Sequence, residues 1–456
     1  MKIVVVGCGI IGKTIIAKLI KEKHDVTAID VDSSVIAEVS DLYDVMAICG
    51  NGTEHDRLRE AKVEKADIFI AVTSSDELNM LACFVAKRMG AKNTVARIRN
   101  ANNNDDSFIF MKEQLELSIA INPEKRTAQA IYNLLKLPGA SKVETFGNNG
   151  FDMVELPVRK DSVMDGAKLI DLRKKYKADF LVCAVGRGDN LFIPNGDFML
   201  QAGDKVGLII SEENTTSVLK MLGLVHKQIK SVIILGAGTM AHYLTEILLR
   251  RRIAVKVIEQ NKARADDLCA RFPKADIIYG DGMNEDLLAE ERIDDADALV
   301  ALTGKDEENI LISFYAMSRN VPKVIANVNR SELSTLAEKL GLECIVTPQK
   351  TVADILVRYA RSLQISTGSE IEQFYSLMNG KAEGLEFTIL ESFPFCNVPI
   401  KQLLFKPGVL IAGILRKDKK IIPGGDDMIQ IGDKVILIAN NRSVYSLTEV
   451  IGGKKE

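Results

Sequence analysis

The chain has 456 residues, 47% of them hydrophobic and 27% charged, which is the balance of a globular protein with about two to four domains and excludes a disordered chain. Its 59 basic residues nearly cancel 62 acidic ones, leaving a formal charge of −3 with no long run of either sign. That pattern lacks the electrostatic footprint for nucleic acid or an anionic membrane surface, so any membrane contact is expected to run through a protein partner. No stretch of 18 consecutive apolar residues suggests a membrane span. The apolar start, Ile3 to Ile11, imitates a leader peptide, but glycines and Lys13 interrupt it and no small-residue cleavage site follows. Seven scattered cysteines without a CxxC pair point to reduced thiols in a cytoplasmic protein.

In chain order, apolar strands are expected at Lys2 to Val6, Asp25 to Asp30, Val45 to Cys49, Ile68 to Thr73, Thr94 to Ile98 and Leu117 to Ala120. Helical patterns such as Ile11 to Glu22 and Glu77 to Met89 separate most of them. Continuous apolar strands alternating with helices call for a parallel sheet covered on both faces, a Rossmann-like doubly wound α/β domain. A long helical pattern follows, Glu124 to Leu137, ending at Pro138-Gly139. From Lys142 to about Leu222 strands dominate around one helical stretch, Ala167 to Tyr176, which reads as a small α+β module.

The chain then repeats itself. Ile193 to Ile210 (IPNGDFMLQAGDKVGLII) returns as Ile422 to Ala439 (IPGGDDMIQIGDKVILIA), with twelve of eighteen positions identical at an offset of 229 residues. Nearly the same offset carries AVTSSDELNML (Ala71 to Leu81) onto ALTGKDEENIL (Ala301 to Leu311). The expected organisation is therefore two nucleotide-type domains, 1–140 and 229–365, each followed by a small module, 141–225 and 366–456, with Gly223 to Gln228 as the junction. A second crossover helix is expected near Thr351 to Ser362.

IVVVGCGIIG places GxGxxG directly after a buried strand and at the start of a helix. In that setting Gly7 makes the tight turn, Gly9 lets the backbone approach a pyrophosphate and Gly12 packs helix on strand, while the N–H groups from Cys8 to Ile11 face the anion. Asp30 ends the next strand at the position that binds a ribose 2′-hydroxyl, which favours NAD(H) or an adenine nucleotide over a 2′-phosphorylated cofactor. The second copy supplies Gly236, Ala237, Gly238, Thr239 and Met240, then Ala241 in place of the third glycine, with Glu259 as its acidic residue. Further candidate contacts follow later strands: Asn51, Gly52 and Thr53, Thr73 and Ser74 in copy one, and Asp281, Gly282 and Thr303 in copy two. Turn chemistry alone also explains such residues. Gly7 to Thr14 equally fits a Walker A loop, but Ala241-His242-Tyr243 stands where copy two would need Gly-Lys-Thr, and no magnesium-binding aspartate ends the fourth strands.

The copies differ in charge. Copy one ends its fifth strand with Arg97-Ile98-Arg99 where copy two has Asn327-Val328-Asn329, so unequal sites are expected, with Arg97 favouring a highly charged nucleotide in the first. The four histidines, His24, His55, His226 and His242, form no metal or catalytic constellation; His24 is expected at the surface and His242 on a helix. No catalytic residues and no metal ligands are assigned, although an NAD-dependent oxidoreductase remains the alternative class. The crossover helix, with Ala128, Ile131, Leu134 and Leu135 near helical spacing, is expected either at a subunit contact or in an intramolecular core.

Tandem GxGxxG domains, GNGT and GDGM after the third strands, AVTSSDELNML, ARIRN and the IPxGD…GDKV module together resemble the TrkA family, peripheral regulatory subunits of Trk-type potassium uptake systems. Each half looks like one RCK unit, a KTN (RCK-N) nucleotide domain plus an RCK-C module, over essentially the whole chain. The resemblance implies NAD or NADH, or ATP or ADP, as ligands of Gly7 to Gly12, Asp30, Thr73, Ser74 and Arg97 in copy one and of Gly236 to Met240 and Glu259 in copy two. It also implies self-association into a homo-oligomeric ring under a membrane-embedded potassium transporter, at the inner face of the cell membrane. A nucleotide sensor of another transporter is the further alternative. No cluster identifies a ligand for the RCK-C modules.

Overall fold

A computed structural model describes residues 1–99, 106–146, 150–176, 180–223, 228–365, 371–440, 444 and 446–454. The first unit runs β1 (Lys2–Val6), α1 (Ile10–Lys21), β2 (Asp25–Asp30), α2 (Ser33–Leu42), β3 (Met46–Cys49), α3 (His55–Glu60), β4 (Ile68–Ala71), α4 (Asp76–Met89), β5 (Asn93–Arg97), α5 (Asp106–Gln114), β6 (Ile119–Ile121) and α6 (Pro123–Lys136). Its six strands pair in parallel in the order β3-β2-β1-β4-β5-β6. The strand order reverses beside β1, and the crevice at the carboxyl ends of β1 and β4 is where ligands of such sheets bind.

A small domain follows: β7 (Lys142–Phe146), β8 (Phe151–Pro157), α7 (Leu169–Tyr176), β9 (Phe180–Arg187), β10 (Asn190–Phe192), β11 (Lys205–Ser211) and α8 (Thr215–Met221), with an antiparallel sheet ordered β10-β9-β11-β8-β7. Helix α8 is an addition to the expected elements. It has only seven residues, with Thr215, Val218 and Leu219 buried, too short a run for a helical period to stand out.

The second copy repeats this plan. Its elements are β12 (Ser231–Leu235), α9 (Thr239–Arg250), β13 (Ala254–Glu259), α10 (Lys262–Arg271), β14 (Asp276–Tyr279), α11 (Glu285–Glu290), β15 (Ala298–Ala301), α12 (Asp306–Ser318), β16 (Lys323–Asn327), α13 (Ser331–Lys339), β17 (Ile345–Val346) and α14 (Pro348–Ile365). The parallel order β14-β13-β12-β15-β16-β17 matches the first sheet strand for strand. The last domain contains β18 (Ile371–Leu377), β19 (Ala382–Thr388), β20 (Leu403–Phe405), β21 (Val409–Arg416), β22 (Lys419–Ile421), β23 (Lys434–Ala439) and β24 (Ile451–Lys454). Five of these form the antiparallel order β18-β19-β23-β21-β22, and β20 pairs with β24. Residues 224–227 of the expected junction, and residues 366–370 at the expected start of the last module, lie outside the described residues.

The crossover helices settle how the copies join. Asn122 caps α6, its Oδ1 accepting from Lys125 N at 2.8 Å, and Pro123 opens the first turn. The apolar stripe Ala128, Ile131, Leu134 and Leu135 then lies in one cluster with Val232 and Ile234 of β12 and Leu244 and Leu248 of α9. Reciprocally, Val352, Ala353, Leu356, Val357 and Ala360 of α14 pack with Ile3, Val5, Ile15, Ile16 and Leu19 of the first unit. Of the two expected roles, then, the helices fill an intramolecular core, each that of the opposite copy. Polar contacts hold the exchange in register: Lys18 pairs with Asp354, Arg361 bridges Glu22 and Glu383, and Lys323 donates to the carbonyls of Pro138 and Ala140. The small domains also meet, with Phe146, Phe151 and Ile209 of one in a common core with Tyr375, Leu377 and Ile436 of the other. His24 is a correction to the sequence reading: it is only 7% exposed, because α14 covers the end of α1 and places Arg361 nearby.

Candidate nucleotide sites

Both glycine-rich loops take the backbone course that their glycines permit. Gly7 sits at φ +91° and Gly236 at φ +97°, and a Cβ on either would stand 2.7 Å from backbone atoms, of Thr73 and Leu302 respectively. At Gly12 a Cβ would approach Gly7 O to 1.9 Å. Gly9 and Gly238 are different: a Cβ there meets nothing within 4 Å, so each leaves open space over the N-terminus of α1 or α9. Ile10, at 65% exposure, sits on the rim of that space, and Ile11 is half-buried.

The acidic residues fold onto these loops. Asp30 accepts from Cys8 N at 2.6 Å and from Asp32 N at 3.0 Å; Glu259 accepts from Ala237 N at 2.6 Å and from Asn261 N at 2.7 Å. The extra methylene of glutamate is absorbed without change in this pattern. Burial, reinforced by Asp30, pushes the Cys8 thiol up to about 12, so Cys8 is no nucleophile, and its backbone N–H, expected to face an anion, is instead taken by the Asp30 carboxylate.

At the ends of β4 and β15 the two copies share a lock that the sequence reading did not single out. Asn79 is fully buried; its Oδ1 accepts from Thr73 N and Thr73 Oγ1, both at 2.8 Å, and its Nδ2 donates to Thr73 O and Arg97 O. Asn309 makes the same four contacts with Thr303 and Asn327. The asparagine is common to DELNML and DEENIL, so the repeat carried the signal. Asn51 Oδ1 holds Thr53 N and Oγ1 in an Asx turn, and Asp281 Oδ1 similarly accepts from Met283 N. A Cβ on Gly52 would meet Val6 at 2.2 Å, whereas Gly282 is less crowded, at 3.3 Å from Leu235. Ser74 presents its carbonyl to the Arg99 guanidinium.

Arg97 is placed at the same crevice but its charge is already met. Its Nη2 donates to Glu124 Oε1 at 3.0 Å, and the two side chains are only 14% and 19% exposed. Glu124 became relevant only through the position of α6. In copy two the corresponding residues are Asn327 and Gln349, and Gln349 turns its amide to Asn329 O. Thr239 and Met240 open α9 beside Gly238, matching Ile10 and Ile11. Lys13, the lysine of the Walker alternative, pairs with Glu38, and Thr14 Oγ1 donates to Ile10 O at 2.9 Å, so neither is directed to the loop. Among the described residues no group of three or more His, Cys, Asp or Glu could hold a metal ion, and no helix is long and apolar enough to cross a membrane.

The strand order, the two glycine turns and the carboxylate at the end of each second strand define a tandem pair of dinucleotide-type nucleotide domains. The chain belongs to the TrkA family: the TrkA-N domain matches residues 3–120 and 232–348, and the TrkA-C domain matches 153–223 and 385–452. It is similar to a Trk system potassium uptake protein TrkA homolog of Archaeoglobus fulgidus, 31% identical over 99% of this chain and 100% of the relative. It is also similar to the Trk system potassium uptake protein TrkA of Halomonas elongata, 29% identical over 96% of this chain and 95% of that one. Among solved structures, the GsuK RCK domain superposes with a TM-score of 0.62 at 15% identity, covering 96% of this chain and 92% of that chain. The GsuK channel bound to NAD gives a TM-score of 0.63 at 16% identity, covering 96% and 76%. The same tandem fold is thus shared despite little common sequence.

Proposed function

We propose that the chain is the nucleotide-binding regulatory subunit of a Trk-type potassium uptake system and acts by changing shape, without catalysing a reaction of its own. One observation carries this reading: each phosphate-loop helix is packed by the crossover helix of the other copy, α14 on α1 and α6 on α9. A ligand that shifts either loop therefore acts on the seam between the copies. Occupancy moves the equilibrium only by its differential affinity for the two arrangements, typically about 1 to 3 kcal/mol per site.

NAD(H) or ATP/ADP are the ligands of this reading. The glycine loops with Asp30 and Glu259 support it, as do the family relationship and the fold shared with a channel that has been solved bound to NAD and to ADP. The exposed apolar side chains Leu81 and Phe110 on α4 and α5, and Leu311 and Leu336 on α12 and α13 with Leu340 just after α13, offer matching faces for self-association into a ring. The membrane partner is an embedded potassium transporter subunit, and the protein works at the inner face of the membrane through it.

Potassium flux through a reconstituted Trk-type transporter, with and without this protein under ATP, ADP, NAD and NADH, tests the reading; equal flux in all conditions overturns it. Calorimetry on Asp30→Ala and Arg97→Ala should show nucleotide binding weakened about tenfold or more in the first site, since each removes a charge-assisted contact. Unchanged affinity in both variants refutes the site assignment. Turnover of NADH with carbonyl substrates would favour an oxidoreductase instead.

A further inference from the structure

The Arg97–Glu124 pair is only half satisfied. One hydrogen bond joins Nη2 to Oε1, while Arg97 Nε and Glu124 Oε2 are both buried without a hydrogen-bond partner. A buried donor and a buried acceptor left open on two paired side chains are costly, and they match a ligand that brings both an anionic oxygen and a hydroxyl donor. Glu124 is also held in place. Asn122, two residues earlier, donates through Nδ2 to Arg99 O at 2.7 Å and to Tyr243 Oη at 2.9 Å, and Tyr243 Oη donates to Arg99 O at 2.9 Å. The start of α6 is thereby tied both to the strand end of copy one and to α9 of copy two. Copy two has no such carboxylate, because Gln349 stands at the matching place.

We propose that Glu124 is a specificity-determining residue of the first nucleotide site. Its carboxylate offsets Arg97, opposes the terminal dianion of a nucleoside di- or triphosphate, and accepts from a ribose hydroxyl next to a phosphate. It thereby tilts the site toward a dinucleotide such as NAD(H) and against ADP or ATP. Arg97 alone would give the opposite preference. The inference rests on the reading of this crevice as a nucleotide site.

The test is calorimetry of the full-length protein and of Glu124→Gln with NAD, ADP and ATP, in a chelator so that no divalent cation bridges carboxylate and phosphate. The glutamine keeps an acceptor oxygen, and the fold already carries glutamine at the matching position of copy two. ATP should bind the variant about tenfold more tightly, as expected when a partly shielded like charge is removed, with NAD changed by less than about threefold by the same reasoning. The ATP-to-NAD affinity ratio thus rises about tenfold, a selective change that loss of helix anchoring would not produce. An unchanged ratio, or one that moves the other way, overturns the inference. Absence of binding of all three nucleotides to the wild-type chain would instead refute the nucleotide-site reading itself.

Discussion

Ile131→Ala probes the exchange of crossover helices most directly. Ile131 is fully buried on α6, yet its cluster is largely the core of the second nucleotide domain. Removing three buried carbons forfeits roughly 2.4 kcal/mol at ~0.8 kcal/mol per methylene. The part of the cavity that does not collapse raises the loss to about 3 to 4 kcal/mol, within the range for such core truncations. Because β12 and α9 form the opposite wall, the loss should appear far along the chain. Hydrogen exchange resolved by peptide should accelerate across β12 and α9 by a factor corresponding to that energy, while β1 and β2 keep their protection. A Leu356→Ala variant should give the mirror result, exposing β1 and α1. Faster exchange confined to the mutated helix's own copy would refute the crossed packing.

Two further expectations concern buried charge. Burial, assisted by the chain's amino terminus and Arg361 and opposed by Asp67, lowers the His24 pKa from 6.5 to about 4. The unfolded chain therefore binds a proton first as pH falls, so this contribution to stability is complete above pH 6.5 and is lost progressively toward pH 4. Thermal melts from pH 7.5 to 4 should show a decline that His24→Gln flattens; parallel declines in both proteins would disprove the assignment. Arg361→Met removes the cation shared by Glu22 and Glu383, which should cost about 3 kcal/mol at neutral pH. Burial already raises the Glu383 pKa against the pull of Arg361, so the deficit should shrink on acidification as this carboxyl takes up a proton. A pH-independent deficit would show that lost packing and not charge is responsible.

The candidate sites were legible in unequal parts. Gly7, Gly9, Asp30 and their counterparts Gly236, Gly238 and Glu259 were readable because each answers to a neighbour within a single strand-turn-helix unit or one strand away. Asn79 and Asn309 carried a signal in the repeat, but a buried asparagine in a helix is indistinguishable by spacing from a solvated one. His24 was misjudged for a related reason: it follows α1 at the end of an exposed-looking helix, and what covers it begins more than 300 residues later.

The sequence by itself determined the doubled architecture, the alternation of strand and helix, the glycine turns and the charge difference between Arg97 and Asn327. These are periodicities, identities and short-range backbone requirements, which need no knowledge of the remainder of the chain. Only the tertiary structure decided that α6 completes the second sheet's core and α14 the first, and that Glu124 lies against Arg97. An amphipathic stripe states that a face must leave water but not what will cover it, because hydrophobic burial is non-directional. The choice of cover is made by shape and by ion pairs such as Lys18–Asp354 and Arg361–Glu22, whose partners stand more than 330 residues apart.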